Sequence, residues 1–135
     1  MRIVIARQPM FDEIDAAFGI AGKQVIFAWG EMIYNPSAVA IPQFLMAHER
    51  VHGRRQGHNI TDWWRKYIED IEFRLDEEIP AHIAECRERI GGHSNRNICR
   101  VRISQTALRL ASPIYGRMIT VAKARKIISK GLHRG

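Results

Sequence analysis

The run Ala47-His48-Glu49-Arg50-Val51-His52 places two histidines four residues apart, with a glutamate directly after the first. On an α-helix, residues four apart lie on one face, so both imidazoles can converge on a single metal ion. Glu49 is then placed to act as a general base toward water at that ion. Pro42 before the run suits a first helical turn, and Gly57 after it suits a helix end. We therefore predict a site helix with His48 and His52 as metal ligands and Glu49 as a catalytic base.

A third ligand has to come from elsewhere, because a catalytic zinc site uses three protein ligands and keeps one position open. His58 follows His52 by six residues, as in HExxHxxGxxH patterns, but Arg55 stands where those have glycine. Counting about 100° per residue, Glu78 and Glu72 each lie about 60° from the centre of a later apolar stripe. A carboxylate inside an apolar stripe is costly unless a cation pairs with it. Glu78 is the predicted ligand, with His58 and Glu72 as alternatives.

The same helical phase identifies other candidate residues. His82 lies near the centre of the stripe, one turn after Glu78, and is the second catalytic candidate. It is predicted to orient Glu78 or to donate a hydrogen bond to a developing oxyanion. Glu77 lies about 200° around the helix from the centre of the apolar stripe and is predicted to face solvent. Tyr115 follows the Ser112-Pro113 turn, from which its phenol can reach the cleft.

A resemblance to a known family covers most of the chain. It is carried by Phe27-Ala28-Trp29-Gly30-Glu31, Ile33-Tyr34-Asn35-Pro36, the HExxH run, Arg55-Gln56-Gly57, Trp63-Trp64, Tyr67, Phe73-Arg74-Leu75, Glu77-Glu78, Ala81-His82 and the turn at residues 112–116. Together these segments resemble small zincin-like metallopeptidases of bacteriophages and prophages. The resemblance implies a compact zincin with an edge strand over the site helix and Glu78 as the third zinc ligand. The resemblance does not supply a substrate. Peptide-bond hydrolysis, and hence a peptide or protein substrate, is expected because a zinc ion with Glu49 as base suits the formation of a tetrahedral oxyanion.

Length and composition are those of one globular domain. The chain has 135 residues, 46% of them hydrophobic and 26% charged, which excludes the disordered, collagen-like and coiled-coil classes. No apolar run approaches the roughly 18 residues that span a bilayer, and the N-terminus lacks the apolar core of a secretion signal. We expect a cytoplasmic protein (in the host cell, if phage-encoded) with no membrane partner and with Cys86 and Cys99 as free thiols.

The net charge of +7 is distributed unevenly. Residues 1–88 contain all fourteen acids and ten bases, whereas residues 89–135 contain eleven bases and no acid. These bases can pair with the acidic middle of the same chain, or they can contact a polyanion such as nucleic acid. The candidate nucleic-acid contacts are Arg96, Arg100, Arg102, Arg109, Lys123, Arg125 and Lys126. An alternative function follows, in which a zincin scaffold binds nucleic acid or a host protein without peptidase activity.

The predicted fold is α+β and mostly helical, with a small sheet or hairpin beside the HExxH helix. We predict a single domain, with a metal-site core (residues 1–91) and a basic C-terminal arm (residues 92–135) packed on or beside it. The predicted strands cover residues 2–6, 24–29, 32–34 and 98–103, and the predicted helices cover 9–18, 42–55, 104–110 and 120–129. The apolar stripe over residues 64–90 is long for one helix, and Pro80 is predicted to bend or interrupt it.

Overall fold

The computed structural model of the protein describes residues 1–134. Over these residues it forms a mostly helical α+β domain, as predicted. The strands are β1 (Arg2–Val4), β2 (Phe27–Trp29) and β3 (Met32–Tyr34). The helices are α1 (Phe11–Phe18), α2 (Gln43–Gln56), α3 (Ile60–Glu69), α4 (Ile71–Ile90), α5 (Arg96–Leu110) and α6 (Val121–Arg134), with a short 3-10 helix at Pro113–Tyr115. None of the described helices is both long enough and apolar enough to cross a membrane.

The small sheet packs against the site helix α2 through its strand β2. The strand order is β1-β3-β2, with β1 parallel to β3 and β2 antiparallel to it. Gln56, at the end of α2, joins the helix to the hairpin. Its side-chain amide donates to the carbonyl of Ala28 at 2.9 Å and accepts from the amide of Gly30 at 2.7 Å. The predicted hairpin is thus attached directly to the helix that carries the two histidines.

Gly53 lies where α2 and the hairpin turn touch. A Cβ atom at this position would overlap the carbonyl oxygen of Gly30. We expect Gly53→Ala to lower the free energy of unfolding, because such overlap costs about 1–3 kcal/mol and the gain in helix propensity returns at most about 1 kcal/mol. Denaturant titration measures the change. The control is Gly92→Ala, whose Cβ would meet no atom within 4 Å; equal stability of the two variants would contradict the close approach.

The break in the long apolar stripe lies at Asp70, and not at Pro80. Asp70 is extended (φ −118°, ψ 109°), and its carboxylate accepts from two amides of the next turn, which begins α4. Ile71 lies within the predicted stripe of residues 64–90, but it starts the new helix and is 51% exposed. Pro80 lies inside α4 without ending it. Because α4 is continuous, the helical phase used for Glu78 and His82 applies.

The strand predicted over residues 98–103 is wrong, since this segment belongs to α5. Asn95 begins the helix, where its side chain accepts from two amides of the first turn. Ile103, Ala107 and Leu110 then fall at helical spacing on one face, which packs into a core with α4 and α6. Burial of that face outweighs the strand preference of the alternating β-branched residues.

Two hydrophobic cores result, one on each side of α4. The first contains Ile14, Phe27, Trp63, Trp64 and Tyr67. The second joins α4, α5 and α6. Helix α4 therefore contacts α2, α3, α5 and α6, and side chains from most of its circumference are in contact with protein.

Candidate metal centre

Helices α2 and α4 bring His48, His52 and Glu78 together. The two Nε2 atoms are 3.0 Å apart. Glu78 reaches both of them, with Oε1 at 3.2 Å from His48 Nε2 and Oε2 at 3.0 Å from His52 Nε2. The three residues are 2%, 5% and 2% exposed, respectively. The side chains predicted as ligands thus form one compact, buried group, although they are up to 30 residues apart in the sequence.

The separations within this group fit a metal ion. Ligand atoms about 2.0–2.1 Å from a tetrahedral ion lie about 3.3–3.4 Å from one another, close to the 3.0–3.2 Å found here. Among the described residues, Glu78 Oε1 has no hydrogen-bond partner despite its burial. Nitrogen and carboxylate donors that face one another in this way can hold a metal ion.

The two alternative third ligands lie elsewhere. His58 is exposed just beyond the end of α2 and lines a surface groove with the hairpin turn. Glu72 is exposed in the first turn of α4. Neither belongs to a group of potential metal ligands in residues 1–134.

Glu78 is held in place by two further side chains. The hydroxyl of Tyr67 donates to Glu78 Oε2 at 2.6 Å. His82 donates from Nδ1 to the main-chain carbonyl of Glu78 at 2.8 Å and lies 3.4 Å from its Oε1. His82 is completely buried and does not line the cavity in front of the site. This position fits the predicted role of orienting Glu78 and gives no geometric support to the other, donation to an oxyanion.

A second carboxylate orients His48, and sequence reasoning missed it. Glu85 Oε1 lies 3.0 Å from His48 Nδ1, while its Oε2 accepts from Arg109 at 2.8 Å and from Arg89 at 3.3 Å. A carboxylate on the outer nitrogen of a ligating histidine fixes its tautomer and ring orientation. The available signal was the spacing, because Glu85 follows Glu78 by seven residues and so shares its face of α4.

Two potential metal groups share His48. Besides the group with His52 and Glu78, the structure places His48, His82 and Glu85 within metal-binding reach of one another. The guanidinium groups of Arg89 and Arg109 both contact Glu85, and their positive charges oppose a second cation there. Glu78, in contrast, has only histidines as basic partners in the described part of the chain. The group with His52 and Glu78 is therefore the better metal centre.

The buried charges shift the pKa values of this cluster strongly. Burial opposes protonation of His48, but its close contacts with the carboxylates of Glu78 and Glu85 raise its pKa to about 10. Burial works against ionisation of Glu85, yet the hydrogen bond and charge of His48 lower its pKa to about 2. For His82, burial and the nearby charge of His48 lower the pKa to about 4. Burial disfavours a charged Glu78, but His52 and His48 lower its pKa well below the ordinary value.

A cavity of about 100 Å³ opens in front of the metal group. Glu49 lines it beside His48, His52 and Glu78 and is 8% exposed. Burial raises the pKa of Glu49, against the lowering effect of the two histidines. The rest of the lining is largely apolar or aromatic: Ile14, Phe18, Ile20, Ile26, Phe27, Trp63, Trp64, Tyr67, Ile114 and Tyr115.

Tyr115 reaches this cavity, as its position in the turn suggested. Its ring packs edge-on against His82, with ring centroids 5.6 Å apart. Arg74 holds the turn in place by donating to the carbonyl of Tyr115 at 2.9 Å and to the carbonyls of Tyr67 and Ile68, both at 2.8 Å. Burial, followed by the charge of Glu78, raises the pKa of Tyr115 well above its ordinary value, so the phenol stays protonated.

The prediction that Glu77 faces solvent is wrong. Glu77 is buried, accepting from Trp63 Nε1 at 2.6 Å and from Arg55 Nη2 at 2.7 Å. The prediction assumed one core on one side of the helix, but α2 and α3 also cover α4 on the side of Glu77.

The basic candidates in the arm divide into two groups. Arg96, Arg100, Arg125 and Lys126 line a groove between α5 and α6. The other three lie outside it: Arg109 pairs with Glu85, Arg102 donates to Gln105, and Lys123 lines a different surface groove. Cys86 and Cys99 are free thiols.

Pairing of the arm with the acidic middle of the chain is limited. Within residues 1–134, only Arg89 and Arg109 of the bases that follow residue 88 contact a carboxylate, and both contact Glu85. Among the described residues, internal pairing of the arm is therefore confined to Glu85. Most of the acidic residues between 69 and 88 lie on exposed parts of α3 and α4 or within the metal cluster.

Comparison of the chain with protein-family models, with curated proteins and with solved structures gives no match. The fold and the site by themselves define a mostly helical α+β protein with a buried histidine–glutamate group that can hold a metal ion. A functional assignment therefore depends on the chemistry of that group.

Proposed function

We propose that this protein is a zinc-dependent peptidase of the zincin type, acting on a peptide or protein substrate. The observation that carries the proposal is the convergence of His48, His52 and Glu78 beside a cavity that also contains Glu49. Two imidazoles and a carboxylate are a donor set found in catalytic zinc sites, and three protein ligands leave one position open. Zinc held there supplies Lewis acidity and makes water more acidic.

Glu49 carries the proton in this proposal. It follows His48 directly on α2, and it lines the same cavity. It takes a proton from the attacking water and delivers it to the leaving amine of the substrate. Burial raises its pKa, which suits a base that must accept a proton and release it again near neutral pH.

The other residues of the site orient the reacting groups. Tyr115, protonated and in the cavity, is placed to donate a hydrogen bond to the carbonyl oxygen of the substrate as negative charge develops. His82 and Tyr67 orient Glu78, and Glu85 orients His48.

Metal content tests the proposal. We expect about one zinc per chain in the purified wild-type protein by elemental analysis, and loss of most of it in His48→Ala, because one of three protein ligands is removed. The matched control is His58→Ala, which removes an exposed histidine just beyond the same helix and should leave the zinc content unchanged. A wild-type protein that stays free of zinc after incubation with the ion would overturn the assignment.

We also propose that the protein acts in a reducing compartment such as the cytoplasm. Cys86 and Cys99 are both free thiols, and Cys86 is buried in the core between α4, α5 and α6. Unpaired cysteines are typical of such compartments.

A further inference from the structure

Helices α5 and α6 carry a concentration of positive charge that the protein itself leaves unneutralised. Residues 89–135 contain eleven basic residues and no acid. Two of them, Arg89 and Arg109, contact Glu85, and the other nine have no carboxylate within 4 Å in the part of the chain that the structure describes. Like charges packed this closely repel one another, and the repulsion is relieved when an anion binds.

These charges converge on a groove between the two helices, here called the α5–α6 groove. Arg96 and Arg100 lie one turn apart on α5, and Arg125, Lys126 and Lys130 face them from α6. The groove has a volume of about 980 Å³, and none of its lining residues is acidic. A concave surface of a single sign concentrates counter-charge more strongly than scattered surface residues do.

The groove chemistry favours a phosphate backbone. Guanidinium groups bind phosphate oxygens with paired hydrogen bonds, and lysines add point charges. Neither α5 nor α6 contains Phe, Tyr or Trp, and the aromatic ring among the groove residues is the imidazole of His133, so the groove offers little surface on which the bases of a single strand can stack. A duplex, which presents phosphates while its bases stay paired, is the better match.

An anionic membrane fits this surface less well. Membrane-binding helices bury apolar side chains next to their basic ones. The exposed apolar residues of α5 are Val101 and Leu108, and neither lines the groove. At about 100° per residue, they lie about 120–140° around the helix from Arg96. The basic and apolar surfaces of α5 therefore face different directions.

We propose that the α5–α6 groove binds the sugar–phosphate backbone of double-stranded nucleic acid without reading its sequence. The groove shares no residue with the metal group or its cavity, so this binding does not depend on peptidase activity. In a peptidase, it would hold the enzyme near proteins that are themselves bound to nucleic acid.

Fluorescence anisotropy with the full-length chain and a labelled mixed-sequence DNA duplex tests the proposal. Each phosphate contact contributes about −0.9 to the slope of log affinity against log salt, so five cations predict a slope of about −4 to −5. The affinity should fall several-hundredfold between about 50 and about 200 mM salt. No binding at the lowest salt would overturn the proposal.

A matched pair of variants separates the groove from net charge. Arg100→Gln with Lys126→Gln removes two groove cations and should reduce the slope by about two. Lys23→Gln with Arg65→Gln removes the same charge from exposed positions outside the groove and should leave the slope nearly unchanged. Circular dichroism verifies that both variants are folded. Equal loss of binding in the two variants would contradict a site in the groove.

Three other probes test the identity of the partner. We expect weaker binding to single-stranded DNA of equal length, to polyglutamate, and to vesicles containing phosphatidylserine than to the duplex. Tighter binding to the single strand or to the vesicles would overturn the proposal. So would equal binding to polyglutamate, because it would show a general attraction to anions.

Discussion

Glu49→Gln is expected to abolish turnover while leaving the bound zinc in place. General-base catalysis contributes about 10²- to 10⁴-fold to rate, and glutamine has nearly the same shape but cannot accept the proton. The neighbouring ligands His48 and His52 are unchanged, so the zinc content should equal that of the wild-type protein. A quenched-fluorescent peptide library gives the rate, and elemental analysis gives the zinc content.

Stability distinguishes this effect from misfolding. Burial raises the pKa of Glu49, so its charged form is disfavoured in the fold, and a neutral glutamine should leave the thermal midpoint equal or higher. The control is Glu72→Gln, which neutralises an exposed glutamate and should retain full activity. If Glu49→Gln cleaves the same peptide as fast as the wild type, Glu49 is not the base.

Zinc affinity is expected to rise about tenfold per pH unit between about pH 6 and about pH 9. In the metal-free fold, burial opposes protonation of His48, but its close contacts with the carboxylates of Glu78 and Glu85 raise its pKa to about 10. The imidazole therefore carries a proton throughout this range, and the metal has to displace that proton to bind. Competition with a chelator measures the affinity. Calorimetry in buffers of different protonation enthalpy should show about one proton released per zinc.

The Glu85→Gln variant tests the origin of this pH dependence. Removing one of the two carboxylates that raise the pKa of His48 should lower that pKa, so fewer protons are released per zinc at about pH 8. The same change loosens the orientation of the imidazole and should weaken zinc binding about 10- to 100-fold. A zinc affinity that is independent of pH in the wild type would contradict the protonated cluster.

The stability of the metal-free protein should fall at high pH, whereas the zinc affinity rises. The raised pKa of His48 contributes stability that is fully present below its unfolded value of 6.5 and is lost as the pH rises through about 10. The lowered pKa of Glu85 contributes stability that is present above 4.5 and is lost as the pH falls toward about 2. Both contributions are fully present between about pH 4.5 and about pH 6.5, so the thermal midpoint of the metal-free protein should be highest there.

Local sequence signals were reliable for the site helix and its surroundings. Pro42 and Gly57 mark the two ends of α2, Gly19 marks the end of α1 and Asn59 marks the start of α3, because capping and turn formation depend on a few neighbouring residues. The hairpin around Gly30 also needed little information from distant parts of the chain. Helical phase placed Glu78 on the apolar side of its helix, and the count applies because α4 is continuous through Pro80, but it did not separate Glu78 from Glu72.

Contacts between distant segments explain what the sequence did not reveal. Glu77 is buried because Trp63 and Arg55 come from two other helices. Residues 98–103 are helical because α4 and α6 provide a surface for one face of α5. A single sequence contains local preferences for each segment, but it does not show which segments will pack together.

The sequence by itself determined the two imidazoles on one helical face, the adjacent Glu49 and the acid-free character of the last third of the chain. Only the tertiary structure decided that Glu78 meets those imidazoles, that Glu85 and Arg109 support His48, and that five cations line one groove. The physical reason is that periodicity specifies which side of a helix a residue occupies. The packing of helices around α4 then decides what that side faces.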